Sequence, residues 1–233
     1  MMLAIQDQDT FAQKALAALW DTPITYIVQY AEATDSVMNG YFLSYFTEKC
    51  MPGEWIPLQE EQLKRDIGLT AKQWRMIRND LSNLQILKSK RMGAAPSLYT
   101  LDDELLEAKM RAGSSLSAVA MAAKPISINR LHVRTLGELK VSIKSIILLG
   151  IIQSLTVQND LAARADWSDW IVLPETMVNG LSYLTRHEQD TALNELKSLG
   201  IVDIRVSGMP ATRAARYSLK ALAELSYALL QGE

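Results

Sequence analysis

The chain has 233 residues, 48% apolar and 21% charged, with 24 Lys and Arg against 26 Asp and Glu. Its net charge of −2 excludes a protein that coats nucleic acid by bulk electrostatics, so any such contact must come from a local patch. A single cysteine, Cys50, excludes an internal disulfide framework, and with only His132 and His187 besides, no metal or other cofactor is expected.

Residues 1–10 carry Asp7 and Asp9 but no Lys or Arg, and do not read as a signal peptide. A cytoplasmic protein is expected. Residues 9–20 read as an amphipathic helix with Phe11, Ala15, Leu16, Leu19 and Trp20 on one face, ended by Pro23, and an N-terminal helical segment is assigned to 1–21. After Pro23-Ile24-Thr25 come a polar helical stretch and an apolar helix, Tyr41–Phe46. A tryptophan-led strand at Trp55 follows, then a helix starting after Pro57-Leu58 and a turn with Gly68. Thr70 and Gln73 form a capping box that opens the next helix, in which Trp74, Ile77, Leu81 and Leu84 fall within about 80° of one another. That helix stops at Gln85. Ile86–Arg91 then returns through Ser97–Leu101 as a hairpin with its tip at Gly93–Pro96, and a helix from about Asp102 to Met110 closes a first domain, 22–110.

Residues 111–125, rich in Ala, Ser and Gly, read as a linker, with the boundary set at 111–124. The second domain, 125–233, opens with Pro125-Ile126-Ser127 and leads to the apolar stretch Ile146–Ile152, which is too short to span a bilayer and reads as a buried helix. No membrane partner is expected. Thr156–Asp169 reads as an irregular connection, with Trp167 partly exposed. Then the tryptophan-led unit recurs. Trp170 leads the strand, Pro174 starts a helix, and Thr185 with Glu188 forms a second capping box. Ala192, Leu196 and Leu199 line the apolar face, and Gly200 stops the helix. The hairpin runs Ile201–Val206 and Arg213–Leu219 around Gly208-Met209-Pro210, with Val202, Ile204 and Val206 at the period of a half-buried strand.

Residues 55–93 set over 170–208 coincide at eleven positions, at a constant offset and without a gap. Unrelated segments would share roughly two or three, so this is a duplicated supersecondary unit. Trp55 and Trp170, at matching positions, are expected in the core. The order strand, two helices, hairpin is that of a winged helix, in which a capped second helix reads the major groove and the hairpin is the wing. The fold expected is mainly α with small β-hairpins (α+β), as two tandem winged-helix domains.

In the first copy, the face opposite the apolar stripe carries Lys72, Arg75, Asn79 and Ser82, with Arg78 on its flank and Gln73 near its start. Arg and Lys read guanine or grip phosphate, and Asn and Gln pair with adenine. The wing adds Lys88, Lys90 and Arg91. Leu58–Leu101 holds eight Lys and Arg against four acids, a balance of +4. The bland alternative is a solvated face that Lys and Arg commonly fill.

In the second copy, His187, Asp190 and Asn194 replace Lys72, Arg75 and Asn79, and Leu193 replaces Arg78. Leu173–Leu219 is neutral, with five Lys and Arg against five acids. Arg186, His187, Arg205, Arg213 and Arg216 are its candidate DNA contacts. This copy is expected to bind DNA through its wing, to serve a homodimer or protein partner, or to be a structural twin.

Gly68-Leu69-Thr70 with the arginine-bearing helix, Leu84-x-Ile86-Leu87 and the Gly-x-x-Pro tip resemble winged-helix domains of phage and plasmid replication-initiation proteins. Leu199-Gly200-Ile201-Val202, Gly208-Met209-Pro210 before Tyr217, and the lead-in Pro125–Arg130 are similar. The resemblance covers roughly 22–105 and 124–220 and is one of fold. It implies tandem winged helices on double-stranded DNA, at an origin or operator of a mobile element, as a replication initiator or transcriptional regulator. The near-neutral second helix departs from that pattern. The alternative is a tandem winged-helix scaffold for a protein partner, as in the accessory subunits of chromosome-condensing complexes.

The sequence has no Walker loop, GxGxxG turn, HExxH or nucleophile elbow, so no catalytic residue is assigned and no enzyme is expected. His132 reads as a packing or surface residue. The apolar ends, Ala15-Leu16-Leu19 and Leu222-Leu225-Leu229-Leu230, are expected either to pack the halves together or to form a homodimer.

Overall fold

The computed structural model describes residues 23–91, 93, 96–113, 125–162, 170–209 and 211–232. The expected helix at 9–20, Trp167 and most of the linker lie outside them. The first half runs β1 (Ile24–Tyr26), α1 (Val28–Thr34), α2 (Val37–Lys49), β2 (Ile56–Pro57), α3 (Glu60–Ile67), α4 (Ala71–Asn83), β3 (Leu87–Lys90), β4 (Leu98–Leu101) and α5 (Asp103–Gly113). The second half repeats that order as β5 (Ile126–Ile128), α6 (Arg130–Glu138), α7 (Ile143–Ala162), β6 (Ile171–Val172), α8 (Glu175–Ser182), α9 (Arg186–Ser198), β7 (Val202–Ser207), β8 (Thr212–Tyr217) and α10 (Leu219–Gly232). The protein is therefore α+β, mainly helical with small antiparallel sheets. Two boundaries differ from expectation. Helix α5 takes in 111–113 of the supposed linker, and α7 continues through Thr156–Ala162, where an irregular connection was expected.

The duplicated elements are built by the same local devices. Thr70 and Thr185 each accept from the amide three residues on, and the Gln73 and Glu188 side chains reach back to the threonine amides, so both capping boxes are closed. Both helices end in a left-handed residue, Gln85 at φ 60° and Gly200 at φ 68°. The repeat extends beyond the segment that matches in sequence. The amides of Asp102 and Ser218 donate to Ile86 and Ile201 O at 2.8 Å in each copy. The same two side chains then cap α5 and α10 at the Leu105 and Ala221 amides.

Each half carries a three-stranded sheet, in the order β2-β4-β3 and β6-β8-β7. The inner faces pack on the apolar sides of α4 and α9, where Trp74, Ile77 and Leu81, and Ala192, Leu193 and Leu196, are buried. The expected alternation of β7 holds at its base and fails toward the tip. Val202 is buried, but Val206 is 62% exposed.

The third sheet joins the halves. Strand β1 pairs antiparallel with β5, Ile24 against Ile128, Thr25 against Ser127 and Tyr26 against Ile126. Since Pro23-Ile24-Thr25 corresponds to Pro125-Ile126-Ser127, equivalent strands meet about a local twofold through Thr25 and Ser127. The packing obeys the same symmetry: α2 meets α7, α3 of the first half packs on α6 of the second, and α8 of the second packs on α1 of the first. Polar bonds fix these crossings. The Tyr26 hydroxyl donates to Ser182 O at 2.8 Å, and that of Tyr183 to Asp35 at 2.7 Å. Ser44, wholly buried in α2, accepts from the Ile27 amide at 2.9 Å, and Glu48 accepts from that of Thr25 at 2.7 Å. Across the seam, Glu48 also faces the buried Arg130 guanidinium at 3.9 Å.

At the turn before α4, Gly68 has φ 70°, and a Cβ there would lie 3.3 Å from Val133 of the other half. Tyr183 holds the same place in the second copy, at φ 65°. Ile146, Ile147, Leu148, Leu149, Ile151 and Ile152 in α7 are buried, as expected. Among the described residues, no helix is long and apolar enough to cross a membrane.

Gly150 lets α7 press against β5: a Cβ there would meet Ile128 and Ile126 at 3.1 and 3.2 Å. Gly150→Leu is expected to push the strand pair apart and cost about 1–3 kcal/mol in urea denaturation. His132 of α6 is a packing residue. Burial outweighs its 3.3 Å contact with Gln153 and lowers its pKa from 6.5 to about 4. The unfolded chain takes up this proton at a higher pH than the folded one. Stability should therefore fall as pH drops from 6.5 toward 4, by on the order of 2 kcal/mol at pH 5, and His132→Asn should flatten that slope.

Candidate nucleic-acid interface

Helix α4 is anchored on one side by Trp74, which packs on Phe42 at 5.0 Å and edge-on to Tyr99 at 5.4 Å. Its opposite side is open to solvent. Lys72, Arg75 and Asn79 are exposed and Arg78 is half-buried on the flank. Lys72 and Arg78 have no partner among the described residues, and Arg75 touches only the Ala71 carbonyl, at 3.4 Å. Gln73 is placed differently. Its carbonyl oxygen accepts from the Thr70 amide at 2.8 Å, which leaves only its NH₂ group for a ligand.

The β3-β4 hairpin is only partly free. Lys88 pairs with Asp102 at 2.7 Å, and that bond, with the Leu105 amide, holds the Asp102 carboxyl below the usual carboxylate range. The Lys90 ammonium lies 4.0 Å above the Trp55 ring. Arg91 is exposed without a partner among the described residues.

In the second copy the candidate cations are already engaged. Arg186 faces Glu175 at 3.5 Å, and Arg205 stacks on Trp170 at 4.5 Å. Arg216 pairs with Asp203 at 2.7 Å and shares the Trp170 ring at 5.1 Å. Arg213 is 17% exposed, ion-paired to Asp190 and bonded to Gln189 at 3.0 Å. The cause is a pair of replacements on α9. Gln189 stands where α4 has Trp74, and Asp190 where it has Arg75, so the helix holds an arginine where its twin holds an indole. Helix α9 is also latched to α7. Glu195 accepts from the Ser142 amide at 3.1 Å and from the Ser145 hydroxyl at 2.5 Å, and Glu188 pairs with Lys144 at 2.5 Å. Among the described residues, His187 alone of its candidates is exposed with no side-chain partner.

Trp55 and Trp170 are half-buried rather than core residues. Each leads its strand onto the outer face of a sheet, where cations of the neighbouring hairpin cover it. Met76, which the charge pattern of the sequence passes over, lies on the open side of α4 and is 57% exposed. Its signal was geometric: it is three residues from Asn79 and four from Lys72.

No protein-family model matches the chain, and comparison with curated proteins finds no match.

Arg213→Met is expected to strand the buried Gln189 oxygen and the Asp190 carboxylate, and to cost about 1–3 kcal/mol in urea denaturation. Arg205→Met, which removes only an exposed cation from a ring, should cost under about 1 kcal/mol.

Proposed function

We propose that the protein binds double-stranded DNA through its first half, each half being a winged helix with α4 and α9 as recognition helices and the β3-β4 and β7-β8 hairpins as wings. One observation carries this reading: the open face of α4 carries cations that no side chain among the described residues holds, whereas the candidate arginines of the second copy are all engaged. Among the described residues, the open face of α4 offers Lys72, Arg75, Arg78 and Asn79, unengaged or held only by a backbone carbonyl, with Arg91 on the adjoining wing. Such a surface attracts phosphate and can hydrogen-bond guanine and adenine edges. In the second copy, Arg186, Arg205, Arg213 and Arg216 meet their counter-charges or an aromatic face within the protein. The second half therefore serves as structural partner, holding the first in place across the shared strand pair. Reading double-stranded DNA from one local face suits a replication initiator or transcriptional regulator of a mobile element. The scaffold alternative, a protein-binding second half, is favoured by the latched α9, where Arg186 and Lys197 stand against Glu188, Asp190 and Glu195.

Fluorescence anisotropy on a mixed-sequence duplex across two salt concentrations tests the assignment. Arg75→Ala with Arg78→Ala should weaken binding and flatten the log–log salt dependence by roughly 0.9 for each phosphate no longer neutralised. Arg205→Ala with Arg216→Ala should leave both nearly unchanged. The opposite ranking would move the interface to the second wing, and salt-independent or absent binding would favour the scaffold.

A further inference from the structure

We infer that Met76 is a specificity residue that takes the 5-methyl group of a thymine in the major groove, an inference that rests on the DNA-binding reading above. Helix α4 advances about 100° per residue, which puts Met76 some 130° from the centre of the Trp74, Ile77 and Leu81 stripe. It is therefore an apolar side chain on the wrong side of its helix, 57% exposed. Scattered exposed hydrophobics are ordinary. This one is distinguished by its neighbours: Lys72 and Asn79 flank it along the helix, and Arg75 lies beside it, all exposed.

The chemistry of that row is incomplete without it. Arginine and lysine suit guanine, and asparagine suits adenine, whereas the major-groove edge of thymine is marked by its methyl group, which only an apolar contact recognises. Methionine is unbranched and polarisable, and adapts its shape to such a contact. The corresponding residue of α9 is Thr191, whose hydroxyl is turned back onto the His187 carbonyl at 2.9 Å. The apolar reading position thus belongs to the same copy as the free cations.

The test begins with selection of duplexes from a random library by the full chain, followed by synthesis of the enriched site with each thymine replaced in turn by deoxyuridine. One replacement is expected to lower wild-type affinity about fourfold, the worth of one buried methyl group. Met76→Ala should bind the thymine and deoxyuridine duplexes within twofold of each other, and Met76→Leu should restore the difference. Thermal melting will show both variants folded, since the side chain is exposed. If no thymine methyl matters, or if Met76→Ala retains the same discrimination, the inference is overturned while DNA binding stands. A library that shows no enrichment overturns sequence reading by α4, and this inference with it.

Discussion

The pairing of Ile24–Tyr26 with Ile126–Ile128 is the constraint on which the rest of the arrangement depends. Strands of three residues cannot stand alone in water. This pair persists because its outer residues are sealed between α2 and α7, and because Ser44 and Glu48 take up the amides of Ile27 and Thr25. Once formed, it sets the axis about which α3 meets α6 and α8 meets α1. The apolar core that results runs without a break from one half into the other.

On that common frame the two halves distribute charge in opposite ways. The first fills the space behind its capped helix with Trp74, an apolar plug that asks nothing of the polar residues around it. The second puts Gln189 there, and a buried amide must be hydrogen-bonded. Arg213 meets that need, and Asp190 neutralises Arg213. One exchange in the core thereby reaches the surface, by drawing inward a cation of the β7-β8 hairpin. The acids of α9 are engaged in the same way, by the start of α7 and by Lys144.

What the sequence disclosed was local. The capping boxes, the Trp74–Ile77–Leu81 stripe, both hairpins and the buried Ile146–Ile152 helix could be read because each depends on residues within one or two turns of one another. The strand pair was hidden, since three-residue strands have almost no period and their partner lies about a hundred residues away. For the same reason the engagement of Lys88, Arg205, Arg213 and Arg216 was illegible: each partner is brought near only by the completed sheet. The placement of Trp55 and Trp170 was misjudged because a large apolar residue at a repeated position suggests a core, whereas a ring that also carries a cation is stable half-exposed. On α4, the row of charges hid Met76, an apolar residue among cations.

The twofold through Thr25 and Ser127 is the symmetry of a dimer, realised here inside a single polypeptide. Two identical subunits must accept every substitution in duplicate, so a residue that helps one side but harms the other is barred. A tandem chain is released from that rule. Either half can specialise while the other conserves the shape they share, and the tether keeps them together at any dilution.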